Sequence, residues 1–359
     1  MTTELCRRLG ITAPVVQAPI GSAATPELAA AVCAAGGLGT LALTWVGPEE
    51  LRDRVRRLRR LTDQPFGVNL VLDFPVAANL AACLAEGVPV VSTFWGDPAE
   101  VHGPIEAAGA VHLHTVGSVT EARQAAEAGV DVLVAQGWEA GGHVRGQVST
   151  MALVPAVVDA VHPLPVIAAG GIADGRGLAA VLALGAQAGW LGTRFVAATE
   201  AGSHEEYRRA VVAADPGDAV HTGCFDGGWP DAPHRVLRNA TLDRWLAAGS
   251  PAAPHRPGEG DVLATDAGGR QHLRYADMVP VTGMTGRLDE LARYAGQSAG
   301  TVRDVAPAAA IVESLVRQAA AILNRPGANP PGTDSPGTDS PGTNPPGTDP
   351  PGTNPAGIS

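Results

Sequence analysis

Pro165-Val166-Ile167-Ala168-Ala169-Gly170-Gly171, then an Ala-rich stretch, then Ala188-Gly189-Trp190-Leu191-Gly192-Thr193-Arg194-Phe195 reads as strand, glycine turn, helix and strand. Both strand runs are almost continuously apolar, which is what a parallel sheet covered on both faces requires. The same unit recurs upstream at Val15 to Ile20, Leu38 to Leu43, Phe66 to Leu72, Val88 to Trp95, Ala110 to Val116 and Asp131 to Trp138, each run followed by a helix-like segment. Eight such units predict an α/β fold closed as a (β/α)8 TIM barrel, not an open sheet. The helices carry ordinary signals. Thr25 precedes Pro26-Glu27, and in Gly47 to Leu61 the apolar Leu51, Val55 and Leu58 share one face, with Glu49 and Glu50 at the start and arginines at the end.

After Phe195 the alternation stops. Four segments are expected: a barrel over 1–201, a small lid domain over 202–296 on the barrel's C-terminal face, a segment 297–325 whose helix Ala306 to Leu323 packs on the barrel, and a disordered tail over 326–359. The tail holds ten of the 30 prolines and repeats Pro-Gly-Thr five times at period five, a composition too poor in apolar groups to fold.

Composition narrows the function. Of the 359 residues 45% are apolar and 17% charged, enough to bury a sizeable core. Net charge is −11, so nucleic acid is not expected as a partner. All 25 basic residues are arginine, which excludes any lysine Schiff base or P-loop lysine. Cys6, Cys33, Cys83 and Cys224 are far apart and no ligand spacing is present, so neither a disulfide scaffold nor a metal is expected. Without a signal-peptide core or an apolar run long enough to span a membrane, the expected compartment is the cytoplasm.

In such a barrel the chemistry sits just beyond the strand C-termini. Gly170 and Gly171 end the seventh run, and Leu191, Gly192 and Thr193 lie in the eighth; glycines there let a phosphate approach backbone N–H groups, or else simply make tight turns. Gln136-Gly137-Trp138-Glu139-Ala140-Gly141-Gly142-His143 follows the sixth. Gly141 and Gly142 permit close approach of a flat ring, and His143 is an isolated imidazole on a loop, able to serve as acid, base or hydrogen-bond donor.

Taken in order, Ala18-Pro19-Ile20-Gly21, Pro65-Phe66-Gly67-Val68-Asn69, Gln136 to His143, Ile167 to Gly175 and Leu191 to Phe195 resemble the nitronate monooxygenase family, once called 2-nitropropane dioxygenases. Tyr294-Ala295-Gly296-Gln297-Ser298 adds a further match, and the resemblance runs from about residue 10 to 320. It implies an FMN-binding barrel in which Gly170 and Gly171, with Leu191, Gly192 and Thr193, hold the phosphate. Pro19, Ile20, Gly21, Asn69, Gln136 and Gly141, with Gly142 beside them, would meet the ring or ribityl chain, and His143 would be the catalytic histidine. Trp190, counted with these cofactor-binding residues, stands where members carry Gln, and Ile20 where they carry Met; the stretch from Asn69 to Gln136 is short, closer to the sister group of type II enoyl-acyl carrier protein reductases. The resemblance thus implies oxidation of alkyl nitronates by molecular oxygen to a carbonyl compound and nitrite. The alternative is NAD(P)H-dependent reduction of enoyl thioesters or quinones, and a third reading is a flavin-binding module without turnover.

Other residues are ambiguous. His112 and His114 share one face of the fifth strand, as a metal pair or as satisfied wall residues. Six arginines between Arg52 and Arg60 suit an acidic carrier protein or a solvated helix face. Phe225, Trp229, His234 and Arg235 suit pocket walls or a small core, and Trp45 and Trp95 suit a pocket rim or a plug in the barrel mouth.

Overall fold

The computed structural model describes residues 1–324; the Pro-Gly-Thr repeats lie outside the described residues. Eight parallel strands form the barrel: β1 (Val15–Gln17), β2 (Gly39–Ala42), β3 (Phe66–Val71), β4 (Val90–Phe94), β5 (Val111–Val116), β6 (Val132–Gln136), β8 (Val166–Ala169) and β9 (Ala188–Leu191). A two-residue strand, β7 (Gly142–His143), is interposed in the chain but belongs to another sheet. Neighbours run β1-β9-β8-β6-β5-β4-β3-β2. The last seam closes through Gln17 N–H to Leu38 O and Leu38 N–H to Val15 O, both 2.9 Å.

Several apolar runs read in the sequence overshoot their strands at the C-terminal end. The eighth run extends to Phe195, yet β9 stops at Leu191 and Thr193–Val196 turns helical. Phe195 is apolar because it is buried, but its N–H donates to Gly192 O at 2.8 Å and not to a neighbouring strand, and this is where the site begins.

Alternation sorts the strands into two faces. Val16, Val90, Leu113, Val132, Val134, Ile167, Ala169 and Trp190 point to the axis and pack as one cluster. Leu5, Cys6 and Leu9 from the first helix (Glu4–Leu9) join that cluster and close the barrel's N-terminal end. The helix begins at Thr3, whose hydroxyl accepts from the Cys6 N–H. Outward-facing Val68 and Leu70 meet Leu51, Val55 and Leu58 of the helix Pro48–Leu61. That helix's arginines are committed to neighbours: Arg54 to Glu50, Arg56 to Glu86 and Arg57 to Glu27, each at 2.6 Å, while Arg59 donates to the carbonyls of Glu86 and Gly87. They form a paired, solvated face, leaving little free charge for an acidic carrier.

Two small antiparallel sheets follow the barrel. β10 (Ala219–Thr222) and β11 (His234–Leu237) take β7 as third strand, with His143 opposite His234 and Gly142 opposite Arg235. β12 (Val262–Thr265) pairs with β13 (Gln271–Leu273) and β14 (Thr285–Gly286). The helix Ala308–Leu323 buries Ala308, Ile311, Val312, Leu315 and Ala319 against the barrel's outer layer. Among the described residues, no helix is long and apolar enough to cross a membrane, and no group of three His, Cys, Asp or Glu could hold a metal.

Candidate active site

Three separated segments are knotted together above β6, β8 and β9. A Cβ on Gly141 would stand 2.3 Å from the Gly296 N, so only glycine permits that contact. The Gly296 N–H donates to Thr193 Oγ at 2.9 Å, and the Gln297 N–H to Glu139 O at 3.0 Å. The Glu139 carboxylate accepts from the Thr150 N–H, and Thr150 Oγ donates to Gly170 O. Arg235, 2% exposed, braces the 138–140 turn from behind by donating to the carbonyls of Trp138 and Ala140. His143 is thereby fixed in the short strand β7, where sequence reading expects a loop.

Gly170 and Gly171 have φ of +94° and +73°, a left-handed pair that L side chains rarely adopt. Among the described residues, the N–H groups of Gly170, Gly171, Gly192 and Thr193 donate to no backbone or side-chain acceptor. Such a set of unsatisfied donors suits an anion. On the axis side, Asn69 is buried and donates to Ser92 Oγ at 3.2 Å, and Gln136 donates to His143 O at 3.1 Å while its Oε1 is buried without a partner. Pro19, Ile20 and Gly21 follow β1, and Ile20 Cγ2 would lie 3.5 Å from a Cβ on Gly192. Trp190, by contrast, turns its side chain into the barrel's inner cluster below this level. It packs there beside Ala169, its register partner and the residue before Gly170.

His143 sits in an aromatic cage. Its ring centre is 4.1 Å from that of Trp229, 5.5 Å from Tyr294, 5.4 Å from His234 and 6.4 Å from Trp95. Trp229 is held by donation from its indole to Asp73 Oδ2 at 3.1 Å and stacks edgewise on Phe74 and Trp95, with Trp45 as the half-exposed outer member. Trp95 itself holds φ +62°, an outlier for a bulky residue and a mark of local strain. Phe225 belongs elsewhere, to the small core with Val236, Leu242 and Tyr275.

Burial, with His234 nearby, pushes the His143 pKa down to about 3, so at neutral pH it is an uncharged imidazole. Its Nε2 is buried and has no hydrogen-bond partner. The facing carboxyl is Asp277, whose Oδ2 lies 3.8 Å from that nitrogen and whose Oδ1 accepts from the Tyr294 hydroxyl. Burial lifts the Asp277 pKa to about 6, against the lowering effect of the Tyr294 hydrogen bond. Sequence reading does not single out Asp277. It lies on a loop with no periodic pattern, and its pinning by its own N–H to Gly227 O (3.0 Å) is purely tertiary.

His112 and His114 turn outward. Thr93 Oγ lies 2.8 Å from His112 Nε2 and from His114 Nδ1, and His102 Nδ1 lies 3.2 Å from His112 Nδ1. These are satisfied wall residues, remote from the glycine turns.

The sequence profile of nitronate monooxygenases matches residues 2–86 and 75–318. A nitronate monooxygenase of Paraburkholderia phytofirmans is 35% identical over 86% of this chain and 93% of its own length. A (3aS,4S,5R,7aS)-5-hydroxy-7a-methyl-1-oxo-octahydro-1H-indene-4-carboxyl-CoA dehydrogenase of Mycobacterium tuberculosis is 38% identical over 70% of each chain. Among solved structures, FabK from Thermotoga maritima superposes with a TM-score of 0.74 at 34% identity, covering 90% of this chain and 97% of its own.

Proposed function

The chain belongs to the nitronate monooxygenase family, and from that premise we propose that it oxidises alkyl nitronates with molecular oxygen, using FMN, to give a carbonyl compound and nitrite. The donor set fits that cofactor: free N–H groups at Gly170, Gly171, Gly192 and Thr193 suit its phosphate, and the orphaned Gln136 Oε1 offers an acceptor to a ring N–H. Asn69, Pro19, Ile20 and Gly21, with Gly141 and Gly142, would line the ring and ribityl chain. FMN, when bound, would supply the electron acceptor that passes reducing equivalents to oxygen.

The protein's own part follows from charge. A nitronate is already an anion, so no base is needed to make it. Neutral His143 can present an N–H or accept a proton without bringing a charge into the cage, and Trp229, Trp95 and Tyr294 exclude water around it. The observation that carries this reading is a pair of buried, partnerless polar atoms, Gln136 Oε1 and His143 Nε2, at the strand C-termini, with the imidazole walled by aromatic rings.

A second reading, nicotinamide-dependent chemistry on an acyl thioester, draws on the likeness to the carboxyl-CoA dehydrogenase and to FabK. The arginine helix pairs four of its six arginines with carboxylates, leaving only Arg59 and Arg60 without an acidic partner for a carrier to meet. The test is extraction and identification of the bound flavin, followed by nitrite release from propionate-3-nitronate in air beside NADH and NADPH consumption. Nitrite without nucleotide oxidation supports the proposal; nucleotide oxidation without nitrite overturns it.

A further inference from the structure

The imidazole of His143 has two unlike nitrogens. Nε2 is buried with no hydrogen-bond partner, while the side chain as a whole keeps 10% of its surface, so the accessible part of the ring lies on other atoms. Trp229 covers one ring face and His234 approaches edgewise. The carboxyl facing Nε2 is Asp277 Oδ2 at 3.8 Å, and the other Asp277 oxygen is taken by the Tyr294 hydroxyl. Tyr294 is in turn fixed: its carbonyl accepts from the Tyr207 hydroxyl, and it bridges to Val236 of β11. Asp277 is fixed by its own N–H on Gly227. The backbone of Asp277 is therefore held in place, and its carboxyl cannot turn away without breaking the Tyr294 hydrogen bond.

We propose that Asp277, anchored by Tyr294, is the positioning residue of His143: it takes the Nε2–H and so leaves Nδ1 as the ring's working nitrogen toward substrate. An ionised carboxylate is acceptor-only, so the tautomer it selects carries the proton on Nε2. A small rotation about the His143 side chain would bring the 3.8 Å approach into hydrogen-bond range. This rests on the reading of His143 as the catalytic histidine, but the tautomer is a property of the protein whatever it turns over.

The test is 15N correlation spectroscopy of uniformly 15N-histidine-labelled holoprotein, with the His143 signals assigned by their loss in His143→Gln. The wild type is expected to show the Nε2–H tautomer. In Asp277→Asn the Tyr294 hydroxyl holds the amide oxygen, so the NH2 faces Nε2 and the ring is expected to switch to Nδ1–H. Its kcat should fall about tenfold to a hundredfold with flavin content unchanged, the usual scale for losing a group that orients a functional histidine. Tyr294→Phe, which keeps the ring and frees the carboxyl, should give a mixed tautomer and serves if the first variant fails to fold. An unchanged Nε2–H tautomer in both folded variants would overturn the proposal. A tautomer switch in a protein that never releases nitrite would uphold the positioning role and sink the nitronate reading instead.

Discussion

Two histidine clusters in this molecule look alike by burial and differ in what their nitrogens meet. In the barrel wall, His112 and His114 are pushed down to about 3 and 4, chiefly by burial, and a single Thr93 hydroxyl lies within hydrogen-bond range of both rings. At the barrel mouth, His143 and His234 are pushed down equally, to about 3 and 4, yet His143 Nε2 has no partner. The difference teaches that a perturbed pKa alone does not mark chemistry. What marks the mouth is an unsatisfied nitrogen, in a cage of aromatic rings, on the face where the strands end.

What the clusters share should show first, in acid. Each of the four imidazoles has a folded pKa below its ordinary value of 6.5, so their stabilising contribution is full above pH 6.5 and is lost as pH falls toward 4. Asp277, raised from 3.8 to about 6, acts oppositely and offsets one of them between those values. Near pH 5 these five groups together should therefore take up about three protons net on unfolding, lowering stability by about 4 kcal/mol per pH unit. Urea titrations from pH 7 to 5 check this, and a flat profile would mean that the imidazoles are not buried neutral.

What separates the clusters should show next. His143→Ala is expected to keep its flavin and lose about 10²- to 10⁴-fold in kcat, whereas His114→Ala should lower the melting temperature and leave kcat per folded molecule unchanged. If both variants lose turnover equally, the distinction between wall and mouth fails. Thr93→Val sharpens it, since it strips the partner from both wall rings and should cost about 2–4 kcal/mol in denaturant melts with nitrite release intact. At the small end, Trp45→Ala removes the half-exposed outer member of the aromatic rim and should cost about 1 kcal/mol. A melting shift larger than that of Thr93→Val would place the rim, not the wall, among the main supports of the fold.

The barrel was legible because each strand is an apolar run followed by a helix, and such local periods survive in a single sequence. The glycine turns were legible for the same reason, since Gly170 and Gly171 break an apolar run where L side chains would be strained. Trp229 and His234 could be named in the sequence, but not assigned between pocket and core; the structure sends them to the cage and Phe225 to the small core. Asp277 was not legible. It reaches His143 through pairing of β7 with β11 and the Gly227 anchor, contacts that span 91 residues (His143 to His234) and 50 residues (Gly227 to Asp277) and leave no spacing to read. Strand ends were overrun because apolar character reports burial, not pairing.

The most direct test of the central claim is the visible spectrum of the purified holoprotein during anaerobic mixing with propionate-3-nitronate and, in parallel, with NADH and NADPH. The flavin band should respond to the nitronate, release nitrite once air is admitted, and stay nearly unchanged with either nucleotide. Full bleaching by a nucleotide, with no response to the nitronate, would contradict the account.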